Sequence, residues 1–349
     1  MIQSHNEWDK VEEIIVGTGL YCYAPSLDTG LNMEFTNTSS PDGINNNPFY
    51  GNYPAKILQE TEEDINKFVE ELNKLKITVR RPEPPPMADF ATPDWKCDRF
   101  FPYCPRDVLL VVGDRIIETP GPYRSRYFET ISYRNLLAEY MDQGARWFSA
   151  PKPRLLDTIY DYTRNANGLK LNNDEPVFDA ANVLRAGYDI FYQISDTGNE
   201  MGLKWLASML GSEYTVHPIS SDIYSSVHID STLCLLRPGL ILANPERVKS
   251  LESLPKSLQS WKVIYAPDMV EYSYSEMEPI SSKWLGMNLL MLAPDLAVVD
   301  AHQTPLIKLL EQNNINVLPL TLRHGRTLGG GFHCITLDVK RAGKLEKYF

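Results

Sequence analysis

Val108-Leu109-Leu110-Val111-Val112, the turn Gly113-Asp114, and Arg115-Ile116-Ile117-Glu118 read as two apolar strands joined by a tight hairpin. A helical pattern follows from about Arg126 to Met141, and the short run Arg146-Trp147-Phe148 closes the unit as a third strand. The same order recurs downstream. A second copy has Val183-Leu184-Arg185, the turn Ala186-Gly187, Tyr188 to Tyr192, a helix from about Gly198 to Met209 and Tyr214-Thr215-Val216. A third has Leu233 to Leu236, the turn Pro238-Gly239, Leu240-Ile241-Leu242, a weak helix near Glu246 to Leu251 and Val263-Ile264-Tyr265. A fourth has Leu289 to Leu292, the turn Pro294-Asp295, Leu296 to Val299, a helix from about Thr304 to Gln312 and Val317 to Leu320.

The fifth copy is divided between the two ends of the chain. His333 to Lys340 supplies its first strand, Val11 to Val16 its second, Ala55 to Lys74 its helix and Ile77 to Arg80 its third strand. A unit completed by both ends implies a closed ring, because closure removes the exposed strand edges of a linear array. The expected fold is therefore α/β: a five-bladed ββαβ propeller with pseudo-five-fold symmetry around a central active-site channel. Residues 1–349 are expected to form one domain, with units at about 107–150, 179–220, 230–267, 284–322, and 333–349 joined with 9–82. Residues 27–56, 82–104 and 153–176 are rich in loop-forming types and read as irregular excursions, the first as a loop or lid.

Each first strand is preceded by polar or reactive residues: Asp107, Asp179, His228 with Asp230, Ser281-Ser282, and Cys334. Equivalent positions in a ring converge on its axis, so these side chains are expected to share one cavity. Gly329-Gly330-Gly331 lets the backbone take positive φ or approach another group closely just ahead of Cys334. A thiol, an imidazole and carboxylates in one pocket are the parts of an activated thiolate nucleophile. The carboxylates suit a planar cation that takes several hydrogen bonds, which points to a guanidinium substrate. Arg247 follows the third hairpin, where it could bind a substrate carboxylate. His333 is expected on the opposite strand face from Cys334 and is read as structural; His324 and Arg326 are read as loop contacts of open role.

The chain has 34 Lys and Arg against 45 Asp and Glu, a net charge of −11, which disfavours nucleic acid as a partner. No apolar run approaches the roughly 18 residues of a membrane span. The segment Met1 to Asp9 lacks a basic region followed by an apolar core. Five cysteines without CxxC or Cys/His ligand spacing fit a reducing compartment and argue against zinc. The expectation is a cytoplasmic protein without metal or other cofactor and without a membrane partner.

Gly329 to Val339, Phe178-Asp179-Ala180-Ala181-Asn182, His228 to Thr232, Pro105-Arg106-Asp107 and Asn6-Glu7-Trp8-Asp9 together resemble the L-arginine amidinotransferase family over essentially the whole chain. The resemblance implies the five-unit propeller. It also implies Cys334 as nucleophile, His228 as general acid/base and Asp179 as its carboxylate partner. Asp107 and Asp230 match positions that hold the substrate's charged nitrogens, and Arg247, Ser281 and Ser282 match positions at its amino-acid end. The implied reaction is ping-pong, with L-arginine as amidino donor, an amidino-cysteine intermediate, release of ornithine, and transfer to an amine acceptor. Within the family the chain is most similar to the inosamine-phosphate branch, through Pro176 to Arg185, Ser195 to Glu200 and Arg323 to Leu328. Ser225 and Val227 flank the site and are expected to shape acceptor choice. Glycine, lysine or another amine stays open as acceptor, as does an arginine deiminase-like hydrolase of the same fold; a non-catalytic propeller would not need this set of reactive residues. Related enzymes are commonly dimers, which makes a homodimer a possible assembly.

Overall fold

Apolar hairpins that are hydrophobic on both faces must be covered on both faces, and the computed structural model, which describes residues 2–36, 49–85, 88–99, 102–161 and 171–349, shows how. Leu109–Val112 pairs antiparallel with Arg115–Glu118, which pairs parallel with Arg146–Ser149. The same pattern repeats in Val183–Ala186, Asp189–Gln193 and Thr215–Ile219, in Leu233–Arg237, Leu240–Ala243 and Lys262–Tyr265, and in Leu290–Ala293, Leu296–Asp300 and Asn316–Leu320. The remaining blade joins the chain ends: Thr336–Arg341 lies antiparallel to Val11–Val16, which runs parallel to Thr78–Arg80.

The apolar core lies between the blades, and its clusters run in a closed sequence. Ile15 and Leu337 pack with Leu109 and Val111; Leu110 and Ile117 with Val183 and Ile190; Leu184 and Phe191 with Leu233 and Ile241; Leu236 and Leu242 with Met291 and Val299. Leu290 and Val298 then pack with Val11, Ile14, Val16 and Ile335, which returns to the blade that holds both ends. The molecule is a five-bladed α/β propeller. The third strand of each blade is half-exposed, at the rim, whereas the hairpin strands are almost wholly buried.

The helices Ala55–Lys74 and Thr304–Gln312 have the expected bounds. The first buries Ile57, Thr61, Asp64, Ile65, Phe68 and Leu72 on one stripe. Elsewhere the elements differ from expectation. The helix expected over Arg126 to Met141 is a 3₁₀ segment at Glu129–Tyr133 followed by α-helix only at Arg134–Asp142, because Arg126 and Glu129 are drawn inward by buried ion pairs. The weak helix near Glu246 to Leu251 does not form. Asn244 bonds the Glu246 N–H, Ser250 bonds the Glu252 N–H, and these local bonds compete with helical ones, leaving a single turn. Within the excursion at 27–56, Thr29–Thr36 is helical, residues 37–48 lie outside the described residues, and Tyr23–Ala24 pairs with Gly51–Asn52. Phe90–Ala91 and Lys96–Cys97 form a second two-stranded ribbon in the excursion at 82–104. No helix among the described residues is long and apolar enough to cross a membrane.

Candidate active site

Cys334 does not stand inside a strand. Ile335 and Thr336 close a turn onto Gly331 and His333, and regular pairing begins at Thr336. Strand alternation therefore does not govern His333, and the expectation that it faces away from Cys334 is corrected: His333 Nδ1 lies 3.0 Å from Asp230 Oδ2, the same oxygen that accepts from Cys334 Sγ at 3.2 Å. Ahead of this turn Gly329 has φ +82°, and a Cβ on Gly330 would stand 2.6 Å from Cys104 Sγ. One glycine supplies the left-handed bend and the next a close approach.

His228 brings the next blades to the same point. Its Nε2 is 3.0 Å from Asp179 Oδ2 and its Nδ1 is 3.5 Å from Asp107 Oδ1. Asp107 Oδ2 accepts from Arg126 Nη1 at 2.6 Å, and Arg126 also pairs with Glu129 through two bonds. Asp107 Oδ1 is buried, faces His228 as a charge contact and accepts no hydrogen bond. Asp179 is held from behind: its N–H bonds Thr197 O, and Gly121 approaches so closely that a Cβ there would meet Asp179 Oδ1 at 2.6 Å.

The charges in this pocket set its protonation. Burial alone would lower the basicity of His228, but the Asp107 carboxylate and the hydrogen bond that His228 donates to Asp179 outweigh it and hold the imidazole well above its ordinary value, as a cation. Burial raises Asp179 despite the opposing contact with His228. Asp230 is also buried, yet the hydrogen bond and charge of His333 pull its carboxyl well below the usual range. The Cys334 thiol is pushed up by its contact with Cys104, then by burial and by Asp230, while His228 opposes these effects. Cys104 itself is raised to about 11, chiefly by burial. Burial and neighbouring groups thus disfavour the Cys334 thiolate while favouring the charged form of His228.

Of the amino-acid-end candidates, Arg247 follows the third hairpin and folds back onto the two residues after Asp230. Its Nη1 bonds Ser231 Oγ and Thr232 Oγ1, each at 2.9 Å, and its guanidinium covers the Tyr224 ring at 3.7 Å. Ser281 and Ser282 are half-buried at the start of the 3₁₀ segment Lys283–Met287; Ser281 is bonded through its backbone to Arg326, and its Oγ lies beside Gly329. Ser225 and Val227 precede His228, their carbonyls accepting from Asp196 N and Thr197 Oγ1. His324 and Arg326 hold neighbouring segments: His324 bonds Glu60 on the Ala55–Lys74 helix at 2.7 Å, and Arg326 bonds Glu271 at 3.0 Å.

The sequence reading missed Asn288. Its Nδ2 lies 3.1 Å from Cys334 Sγ. The signal was present, because Asn288 stands two residues before its strand, as Asp107 and Cys334 do before theirs. A cavity of about 380 Å³ borders Asn288, Gly331 and Phe332 and is edged by Lys283 and Arg326. A second, of about 290 Å³, lies against Asp230, His333, Glu7 and Cys234. Among the described residues no group of three or more His, Cys, Asp or Glu is arranged to hold a metal ion.

The whole chain matches curated proteins of known activity. It is 51% identical to inosamine-phosphate amidinotransferase 1 of Streptomyces glaucescens, over all of this chain and 99% of that one. It is 37% identical to the mitochondrial glycine amidinotransferase of Danio rerio, over 99% of this chain and 84% of that one. The solved inosamine-phosphate amidinotransferase of Streptomyces griseus superposes with a TM-score of 0.93 at 50% identity, covering 100% of this chain and 99% of that one. No family model matches the chain.

Proposed function

The chain belongs to the amidinotransferase family, and we propose that it moves the amidino group of L-arginine to an inosamine phosphate through a covalent intermediate on Cys334, releasing L-ornithine. The observation that carries this reading is the convergence on Cys334 of Asp230 and of the His228 imidazole, itself held between Asp107 and Asp179. Residues 1–349 are read as one domain built from the five units.

The guanidinium of arginine fits between Asp107 Oδ1, which accepts no hydrogen bond and contacts only His228 by charge, and Asp230. Its charge beside the sulfur favours the thiolate, and the thiol proton leaves to solvent as the substrate enters. Sγ attacks the guanidinium carbon, the bond from that carbon to arginine Nε breaks, and His228 donates a proton to the departing nitrogen. Ornithine leaves, and His228 remains neutral beside an amidino-cysteine. The acceptor amine loses a proton to His228 as its nitrogen attacks the amidino carbon; the carbon–sulfur bond breaks and the thiolate returns. Asp179 keeps the imidazole oriented through both half-reactions. Arg247, Ser281 and Ser282 serve the amino-acid end of the donor, while Ser225 and Val227 shape acceptor choice.

Two features support a phosphorylated acceptor. The Streptomyces relatives are inosamine-phosphate amidinotransferases. The cavity beside Asn288 is edged by Lys283 and Arg326, whose carboxylate partners Asp268 and Glu271 are exposed. Exposed ion pairs are weak, so a phosphate can displace such partners at small cost. Five free thiols suit a reducing, cytoplasmic compartment.

The test is incubation with L-arginine and, separately, scyllo-inosamine phosphate, glycine and lysine, with ornithine, citrulline and guanidinylated amine measured by mass spectrometry. Ornithine matched by guanidinylated inosamine phosphate is expected. A guanidinylated glycine or lysine in its place would reassign the acceptor, and citrulline formed whichever amine is present would replace transfer by hydrolysis.

A further inference from the structure

Asn288 closes the 3₁₀ segment Lys283–Met287 and is 3% exposed. Its side-chain oxygen accepts from two backbone N–H groups, those of His333 and Cys334, each at 3.0 Å. Its amide nitrogen lies 3.1 Å from Cys334 Sγ. The orientation is chemically determined, because turning the amide over would set an NH₂ group against two N–H donors. Gly331 makes room for it: a Cβ there would stand 2.7 Å from both Asn288 Cβ and Oδ1.

Four other groups act on the sulfur. Asp230 Oδ2 at 3.2 Å accepts the thiol proton, Asp107 adds a second negative charge, Cys104 makes a thiol contact, and His228 supplies the positive charge. Once Cys334 ionises, Asp230 turns from acceptor to repelling anion. The Asn288 N–H does the reverse, since a hydrogen bond to an anion is stronger than one to a neutral thiol.

We propose that Asn288 is a further catalytic residue, stabilising and aiming the Cys334 thiolate through the Nδ2–Sγ hydrogen bond. The proposal rests on Cys334 being the nucleophile. It gives Asn288 a part in both half-reactions. The same donor favours thiolate as attacking group and, later, thiolate as leaving group, and it holds the amidinated sulfur, which carries no such charge, less strongly.

The test compares Asn288→Ala and Asn288→Asp with the unaltered enzyme. The aspartate keeps an oxygen for the two backbone N–H groups, which guards the fold, but replaces the donor by an anion. Iodoacetamide alkylation of Cys334, followed by peptide mass spectrometry across pH, reads ionisation without turnover. The alanine variant is expected to move the alkylation midpoint up by about one to two pH units, the range of a hydrogen bond to a charged group. The aspartate variant should move it further, and kcat should fall in both by about ten- to a hundredfold. Midpoints unchanged in both variants, even with kcat lost, would reduce Asn288 to a backbone clamp and overturn the proposal. Ornithine release by Cys334→Ala would instead remove the nucleophile reading on which it rests.

Discussion

Asp107 raises the basicity of His228 more than any other group does, and its Oδ1, the proposed contact for arginine, accepts no hydrogen bond. Asp107→Asn removes the first of these effects. A base whose folded value is raised stays protonated until pH climbs through that value, so lowering it brings the alkaline loss of activity to lower pH. The pH profile of kcat for Asp107→Asn should therefore show its alkaline limb displaced downward, with a higher KM for arginine; an unmoved limb would mean that another group limits the rate there. Asp107, Asp179, His228, Asp230 and Cys334 were legible in the sequence because the repeat assigns them equivalent places. His333 was misread, since a turn rather than a strand carries it. The Arg126 and Glu129 pair behind Asp107 gave no sequence signal: a guanidinium and a carboxylate at i and i+3 usually face solvent, and only the fold buries them.

The element that presents Asp179 depends on a helix cap. Asn199 Oδ1 accepts from Gly202 N at the start of the Glu200–Leu210 helix and from Val177 N, while Nδ2 donates to the carbonyls of Asn172 and Glu175. One side chain thus joins a helix start to the segment entering the site. Asn199→Ala should cost about 1–2 kcal/mol from the cap alone, measured by urea unfolding, and should lower activity through displacement of Asp179. Stability equal to the unaltered protein would show that water replaces these bonds. Helices with a clear apolar stripe, Ala55–Lys74 and Thr304–Gln312, were read to the residue. The helix expected after Pro245 was not formed, because its Asn and Ser side chains bond nearby backbone instead.

Closure of the ring rests on a buried charge cluster as well as on apolar packing. Arg185 from the second strand set bonds Glu7 Oε1 and Oε2, Ser4 Oγ and both oxygens of Asp338; Arg106 and Arg341 also bond Asp338. This cluster joins three blades and the N-terminal segment. The guanidiniums overcome burial and hold Glu7 and Asp338 below their ordinary values of 4.5 and 3.8. Depressed carboxylates contribute stability that is fully present above those ordinary values and is lost as pH falls through the folded ones. Arg185→Met removes the bidentate partner of Glu7 and one of the three guanidiniums on Asp338, leaving buried negative charge undercompensated, and should cost about 3–5 kcal/mol at neutral pH. Its deficit should shrink as pH is lowered from 7 towards 3, because protonation relieves the undercompensated charge. Urea unfolding at several pH values checks both statements, and a deficit independent of pH would assign the loss to packing.

The residue pattern by itself determined the blade, its repetition and the closing of the last blade by both chain ends. Those follow from local hydrophobic period, turn chemistry and counting, which the chain carries along its length. Only the tertiary structure decided which polar groups meet. Asn288 reaching Cys334, His333 sharing Asp230, Cys104 beside Cys334 and Arg126 beneath Asp107 are contacts across blade boundaries or within irregular turns. No periodicity governs such segments, so a shift of one residue in a turn changes which side chain enters the channel, and packing of neighbouring blades makes that choice.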